Sequence, residues 1–286
     1  MGNMGRPIAE HLSEVGEKLV LWNRTFAKAE GITGSTILKT PCAVVEASDV
    51  IISVLANDHA LSSVYHGVGG ILEADLTGKT IVELCTTSPE IVINLEIAVE
   101  ACGGLFLECP VSGNVVPARS GQLMGLAGGK QTAFDNVKPL LTKLTRRLEH
   151  LGPVGSGAAM KLAVNLPLMV YWSALGEAVG LAMTKGIDPS MALNILVDSS
   201  GAIGAAKKRV PPILKMLVSN DPGDVSFSLE NAIKDIKLME DLAKTSGSPF
   251  GVIDAILVKA EAAAANGWSN YDNSLVGIHN QAKATL

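Results

Sequence analysis

The chain has 286 residues, of which 48% are hydrophobic and 18% charged. That is long enough for one large or two ordinary domains and too apolar for a disordered chain. Its formal net charge of -5 contains no basic block, which argues against nucleic acid and anionic membrane as partners and in favour of a small molecule. The opening MGNMGRPIAEHL lacks the charged and apolar regions of a secretion signal, and Cys42, Cys85, Cys102 and Cys109 form no CxxC. We therefore expect a cytoplasmic protein with reduced, buried thiols and no metal site.

In chain order, Gly2, Asn3 and Met4 look like the tail of a GxGxMG dinucleotide turn, and Gly5 begins an amphipathic helix near 6–15 whose amino end offers N–H groups to a pyrophosphate. A doubly wound sheet needs a strand before such a turn, so roughly eight to ten further residues are expected ahead of Met1. Strands are predicted at 18–23, 50–55, 80–85, 104–110 and 122–129, and helices near 60–65, 89–101 and 131–144. The second strand of the fold ends in Asn23-Arg24-Thr25. No Asp or Glu is there to hold a ribose 2′-hydroxyl. Arg24 can stack on adenine and pair with a 2′-phosphate, Thr25 can donate its hydroxyl, and Lys28 adds a second charge, a pattern that favours NADPH. Leu55-Ala56-Asn57 and Cys85-Thr86-Thr87-Ser88-Pro89 fall at carboxyl ends of strands, where such sheets bind ligands.

After Gly157 the sequence becomes a long Ala-, Leu- and Met-rich helical pattern, broken at 186–189, 201–204 and 246–249. Its longest apolar stretch, 158–183, carries Lys161, Asn165 and Glu177, and so reads as a soluble core helix with no membrane span. The expected architecture is α/β: a Rossmann-type doubly wound parallel sheet with its first strand missing (1–154), then an all-helical substrate and dimerisation domain (155–286). Lys161 and Asn165 are four apart and share one helix face among apolar neighbours. Two readings of the pair stand: a catalytic ammonium with a companion amide, or a lysine that snorkels to the surface beside an Asn satisfying nearby backbone.

With these pieces assembled, the chain resembles the β-hydroxyacid dehydrogenase family, which includes 3-hydroxyisobutyrate dehydrogenases and glyoxylate/succinic semialdehyde reductases. The resemblance runs through GNMGRPIAEHL (2–12), WNRT (22–25), TTSPE (86–90), PVSGNVVPARSGQL (110–123), GSGAAMKLAVN (155–165) and FSLENAIKDIKL (227–238). WNRT and KLAVN are closer to the reductase branch. The resemblance implies that Lys161 is catalytic with Asn165 orienting the substrate, and that Ser112 and Gly113 hold a substrate carboxylate. It also implies that Thr86 lies beside the nicotinamide ribose, and that Phe227, Lys234 and Asp235 close the cleft from the helical domain.

Two departures stand out: Asn114 replaces a second glycine, and Glu108-Cys109 replaces Asp-Ala before PVSG. Asn114 is read either as lining the carboxylate pocket or as a turn residue tolerating a left-handed conformation. The expected function is NADPH-dependent reduction of a small carboxylated aldehyde or ketone, or the reverse oxidation, by a homodimer or homotetramer. The alternatives are an imine reductase, against which Lys161 argues, and a non-catalytic NADP-binding module.

Overall fold

Residues 1–246 and 251–280 are described by a computed structural model of the chain. The chain divides into two compact units, Met1–Lys161 and Leu162–Leu286, a division that falls inside one long helix.

The first unit carries strands β1 (Val20–Leu21), β2 (Thr36–Ile37), β3 (Val50–Ser53), β4 (Thr80–Glu83), β5 (Leu105–Glu108), β6 (Val111–Ser112), β7 (Leu123–Gly129) and β8 (Thr145–His150). Its helices are α1 (Gly5–Glu14), α2 (Pro41–Glu46), α3 (Asp58–His66), α4 (Pro89–Ala101), α5 (Val115–Arg119) and α6 (Gln131–Leu144). β3, β4 and β5 pair in parallel, in a register that aligns Ile51, Ile81 and Phe106 in one row and Ile52, Val82 and Leu107 in the next. Successive side chains of a strand point to opposite faces. The first row packs with Val45, Leu61, Tyr65 and Leu95 of α2, α3 and α4, while the second packs with Ile8, Leu12, Phe134 and Val137 of α1 and α6. A sheet that is apolar on both faces and covered by helices on both is the Rossmann-type arrangement. β7 runs antiparallel to β5 and β6 and parallel to β8.

Among the described residues β1 is bonded only to β2, and β3 only to β4, so β1 and β2 form a separate two-stranded sheet. A break therefore lies between this pair and the larger sheet. α1 bridges it, since Ala9 packs with Leu21, Ala29 and Ile32 in a small core of their own.

Several elements escape periodicity. β2 and β6 have two residues each, and β8 reads TRRLEH with Arg146 and Arg147 exposed, so it offers no apolar run. α2 and α5 are short helices begun by side-chain caps, Thr40 and Asn114. Only two of the four thiols expected to be buried are so. Cys85 and Cys109 lie in the core while Cys42 and Cys102 are half-buried on its rim, and none of the four is in a disulfide. Burial pushes the Cys109 thiol up to about 12.

The second unit contains most of α7 (Ser156–Met183), then α8 (Pro189–Asp198), α9 (Val210–Ser219), α10 (Leu229–Ser246), α11 (Gly251–Ala263) and a 3-10 turn over Asn273–Ile278. Met169, Trp172, Leu175 and Val179, at helical spacing on α7, enter its core with Leu193, Ile213, Ile236 and Ile256. Two of the expected breaks separate α7 from α8 and α8 from α9, while the third, Ser246–Pro249, begins at the last residue of α10 and otherwise lies outside the described residues. A further break, unforeseen, follows Asn220, which ends α9 in the left-handed conformation at φ 52.

Candidate active site

The end of the first unit at which the sequence places a nucleotide is built from strand termini. Gly2 and Asn3 are exposed, Met4 is half-buried, and α1 starts at Gly5 with no side chain capping its amino end. Gly5 sits against Val54: a Cβ built there would lie 3.7 Å from the valine Cβ, so the turn and the Leu55-Ala56 segment meet. At the end of β1 the Asn23 amide donates to the Thr25 carbonyl at 2.7 Å, leaving Arg24, Thr25 and Lys28 exposed. Two cations and a hydroxyl, with no carboxylate between Asn23 and Lys28, suit a phosphate better than a ribose diol. Arg6 was not foreseen here. Its guanidinium donates to Glu10 at 2.7 Å and to the carbonyls of Lys28 and Glu30 at 3.3 and 3.2 Å, tying this loop to α1.

A polar row crosses the carboxyl edge of the sheet. Ser53, Glu83 and Glu108, the last residues of β3, β4 and β5, stand in register and are all buried. Glu83 accepts the backbone N–H of Cys85 at 2.8 Å and the Tyr65 hydroxyl at 3.0 Å, which fixes the turn leading to Thr86. Thr87 donates to Asp58 at 2.6 Å, pinning the same turn to α3. Burial raises the Glu83 pKa from 4.5 to about 7, against hydrogen bonds from the Cys85 N–H and Tyr65 that pull it down.

The folded state therefore holds a proton that the unfolded chain gives up. This contribution to stability is fully present below pH 4.5 and is lost as the pH rises through about 7. A shift of that size corresponds to about 3 kcal/mol. Thermal melting from pH 4.5 to 8 should show a decline that Glu83→Gln flattens, and an unchanged profile in the variant would contradict it.

The PVSG turn lies at the end of β6. Ser112 is half-buried, and Gly113 takes φ 137, where a Cβ would come within 2.7 Å of Leu123 Cδ2. Asn114 is extended, at φ -110, and its Oδ1 accepts the Val116 N–H at 3.2 Å. It is thus an exposed cap for α5, and the positive φ of this turn belongs to Gly113. With Oδ1 accepting that N–H, the amide nitrogen of Asn114 is its donor group. Lys161 stands one helical turn after Gly157 on α7 and is 8% exposed as a residue.

In the second unit Asn165 donates to Asp235 Oδ2 at 2.9 Å and Lys234 pairs with Asp235 Oδ1 at 3.1 Å. Asp235 is buried, and it brings together three of the residues singled out in the sequence. Phe227 is held by a residue the sequence did not flag. Asp272 accepts from the backbone of Ser226 at 2.9 Å and of Phe227 at 3.3 Å, from the hydroxyls of Ser226 and Ser274, and pairs with Arg209 at 3.4 Å. Against the upward push of burial, the Ser274 hydrogen bond and the Arg209 charge hold its carboxyl below the usual range.

Comparison with known proteins matches residues 1–152 to the NAD-binding domain of 6-phosphogluconate dehydrogenase and 155–277 to the NAD-binding domain of NADP-dependent 3-hydroxyisobutyrate dehydrogenase. Glyoxylate/succinic semialdehyde reductase 1 of Arabidopsis thaliana is 32% identical over 83% of this chain and 81% of its own length. Mitochondrial 3-hydroxyisobutyrate dehydrogenase of Mus musculus is 30% identical over 87% of this chain and 76% of its own. The structure of Mycobacterium tuberculosis 3-hydroxyisobutyrate dehydrogenase with L-serine superposes with a TM-score of 0.84 at 25% identity, covering 98% of this chain and 96% of that one.

Proposed function

From the premise that the chain belongs to the β-hydroxyacid dehydrogenase family of NAD(P)-dependent oxidoreductases, we propose that it reduces a small carboxylated aldehyde or ketone, of the glyoxylate or succinic semialdehyde kind, with NADPH. The observation that carries the reading is Lys161. A lysine that is 8% exposed on an apolar helix is held within the protein, where its ammonium can serve as a proton donor. NADPH supplies the hydride when bound.

Lys161 Nζ donates a proton to the carbonyl oxygen as negative charge develops there, and takes it back in the reverse oxidation. The Ser112 hydroxyl and the Gly113 N–H hold the substrate carboxylate, and the Asn114 amide nitrogen is a third donor at the same turn. Asn165 orients the carbonyl, its own amide held by Asp235. Phe227 and Lys234 are the residues of the second unit to which the resemblance assigns contacts with the substrate and the cofactor. The reductase relative supports the choice of substrate class, and the Asn-Arg-Thr end of β1 supports NADPH over NADH.

Steady-state rates with both cofactors test the reading. Each charge-assisted hydrogen bond to a 2′-phosphate contributes about 1.5 to 3 kcal/mol, or roughly ten- to hundredfold in affinity. Arg24→Ala should accordingly raise KM for NADPH by about that factor while leaving NADH little changed. Equal use of NADH and NADPH by the unmodified protein would count against it.

A further inference from the structure

Glu108 is a buried carboxylate for which the reaction above has no use. It ends β5, is 1% exposed, and its oxygens are spent on the amino end of α7: Oε1 accepts the N–H groups of Gly155 at 2.5 Å and Gly157 at 2.9 Å, and Oε2 that of Ala158 at 3.0 Å. These are the donors that a helix cannot satisfy internally, and their hydrogen bonds favour the carboxylate against burial, which raises the Glu108 pKa from 4.5 to about 7. The contact is close on the other side as well. A methyl group on Gly157 would overlap the carbonyl oxygen of Leu126 in β7, so the first turn of α7 lies directly on the sheet.

Two of the proposed functional groups depend on this junction. Lys161 follows Gly157 by one turn on α7. Ser112 and Gly113 follow Glu108 by four and five residues on the strand that leaves it. One side chain therefore joins the backbone carrying the carboxylate donors to the helix carrying the ammonium.

We propose that Glu108 is a positioning residue that sets Lys161 at its working distance from the Ser112–Gly113 turn by clamping the first turn of α7 to the end of β5. The proposal rests on the assignment of Lys161 as the proton donor. Glu108 itself touches neither substrate nor cofactor. Both of its oxygens act as acceptors, so an amide in its place presents an NH2 group to an N–H and opens the clamp on one side. A displacement of about 1 Å between reacting groups can cost a hundredfold in rate.

The test is a cycle of Glu108→Gln, Lys161→Ala and the double variant, with kcat and the NADPH KM read for each on succinic semialdehyde and glyoxylate. Glu108→Gln should lower kcat by about ten- to a hundredfold with the NADPH KM within about twofold of the parent. It should add nothing further in the Lys161→Ala background, because its effect passes through that lysine. Glu108→Asp keeps both acceptor oxygens and should recover most of the lost kcat. If the Gln variant does not fold, the Asp variant carries the test, with a smaller fall in kcat that is likewise absent once Lys161 is removed.

An unchanged kcat in Glu108→Gln, or an equal loss with and without Lys161, would overturn the proposal while leaving Lys161 in place. Activity retained by Lys161→Ala alone would instead remove the assignment on which it rests.

Discussion

Lys161→Ala is expected to lower kcat by about a hundred- to ten-thousand-fold while NADPH binding stays near normal, the range for removal of a general acid. The lysine stands on α7 at a position that is 8% exposed, so truncation removes a side chain packed largely within the protein. Truncating so enclosed a side chain also costs packing, and its folding should be followed by melting in the same preparation. Lys161→Arg should fail as well: the guanidinium keeps its charge but is too weak an acid to transfer the proton. Cofactor titration separates the effect from misfolding, because a misfolded protein loses both. An active Lys161→Ala variant would dismiss the lysine from the chemistry.

The second large effect is on stability. Gly176 lies in the middle of α7, where alanine ordinarily favours the helix by about 1 kcal/mol. Here a methyl group would overlap the carbonyl carbon of Gly277 in the 3-10 turn that crosses it, and Gly277 is itself too close to the Trp172 carbonyl to carry a side chain. Backbone against backbone cannot be relieved by a rotamer change. Gly176→Ala should therefore reverse the sign of the helix preference and destabilise by about 3 kcal/mol, the upper end for overpacking. For a chain of this size that is a fall in Tm of about 6 to 12 °C. Gly204→Ala is the control, since nothing lies within 4 Å of its built Cβ. It should leave Tm near the parent value, and equal melting of all three proteins would contradict the crossing.

What the sequence discloses depends on how local its cause is. α4 and α6 occupy 89–101 and 131–144 because their signals are short-range: Ser88-Pro89-Glu90 caps and opens one, and apolar residues at helical spacing bury the face of the other. The enclosure of Lys161 follows from the apolar residues on either side of it. β8 is hidden because TRRLEH has no apolar run, Arg146 and Arg147 both being exposed, and it is a strand only through pairing with β7. Glu108 shows in the sequence as an exchange within a motif and nothing more, because its donors lie 47 to 50 residues further on. Asp272 is silent for the same reason, its partners at Ser226 and Phe227 lying 46 and 45 residues earlier. Buried acceptors of this kind satisfy backbone groups from distant elements, and periodicity carries no trace of them.

The most direct measurement of the account is transfer of label from NADPH deuterated on the transferable C4 position, with succinic semialdehyde and glyoxylate as acceptors and a cyclic imine as control, followed by mass spectrometry of the product. The account predicts a hydroxyacid one mass unit heavier, with deuterium on the former carbonyl carbon, from the parent protein and almost none from Lys161→Ala. Labelled amine from the imine with no labelled hydroxyacid, or no transfer to any acceptor, would contradict it.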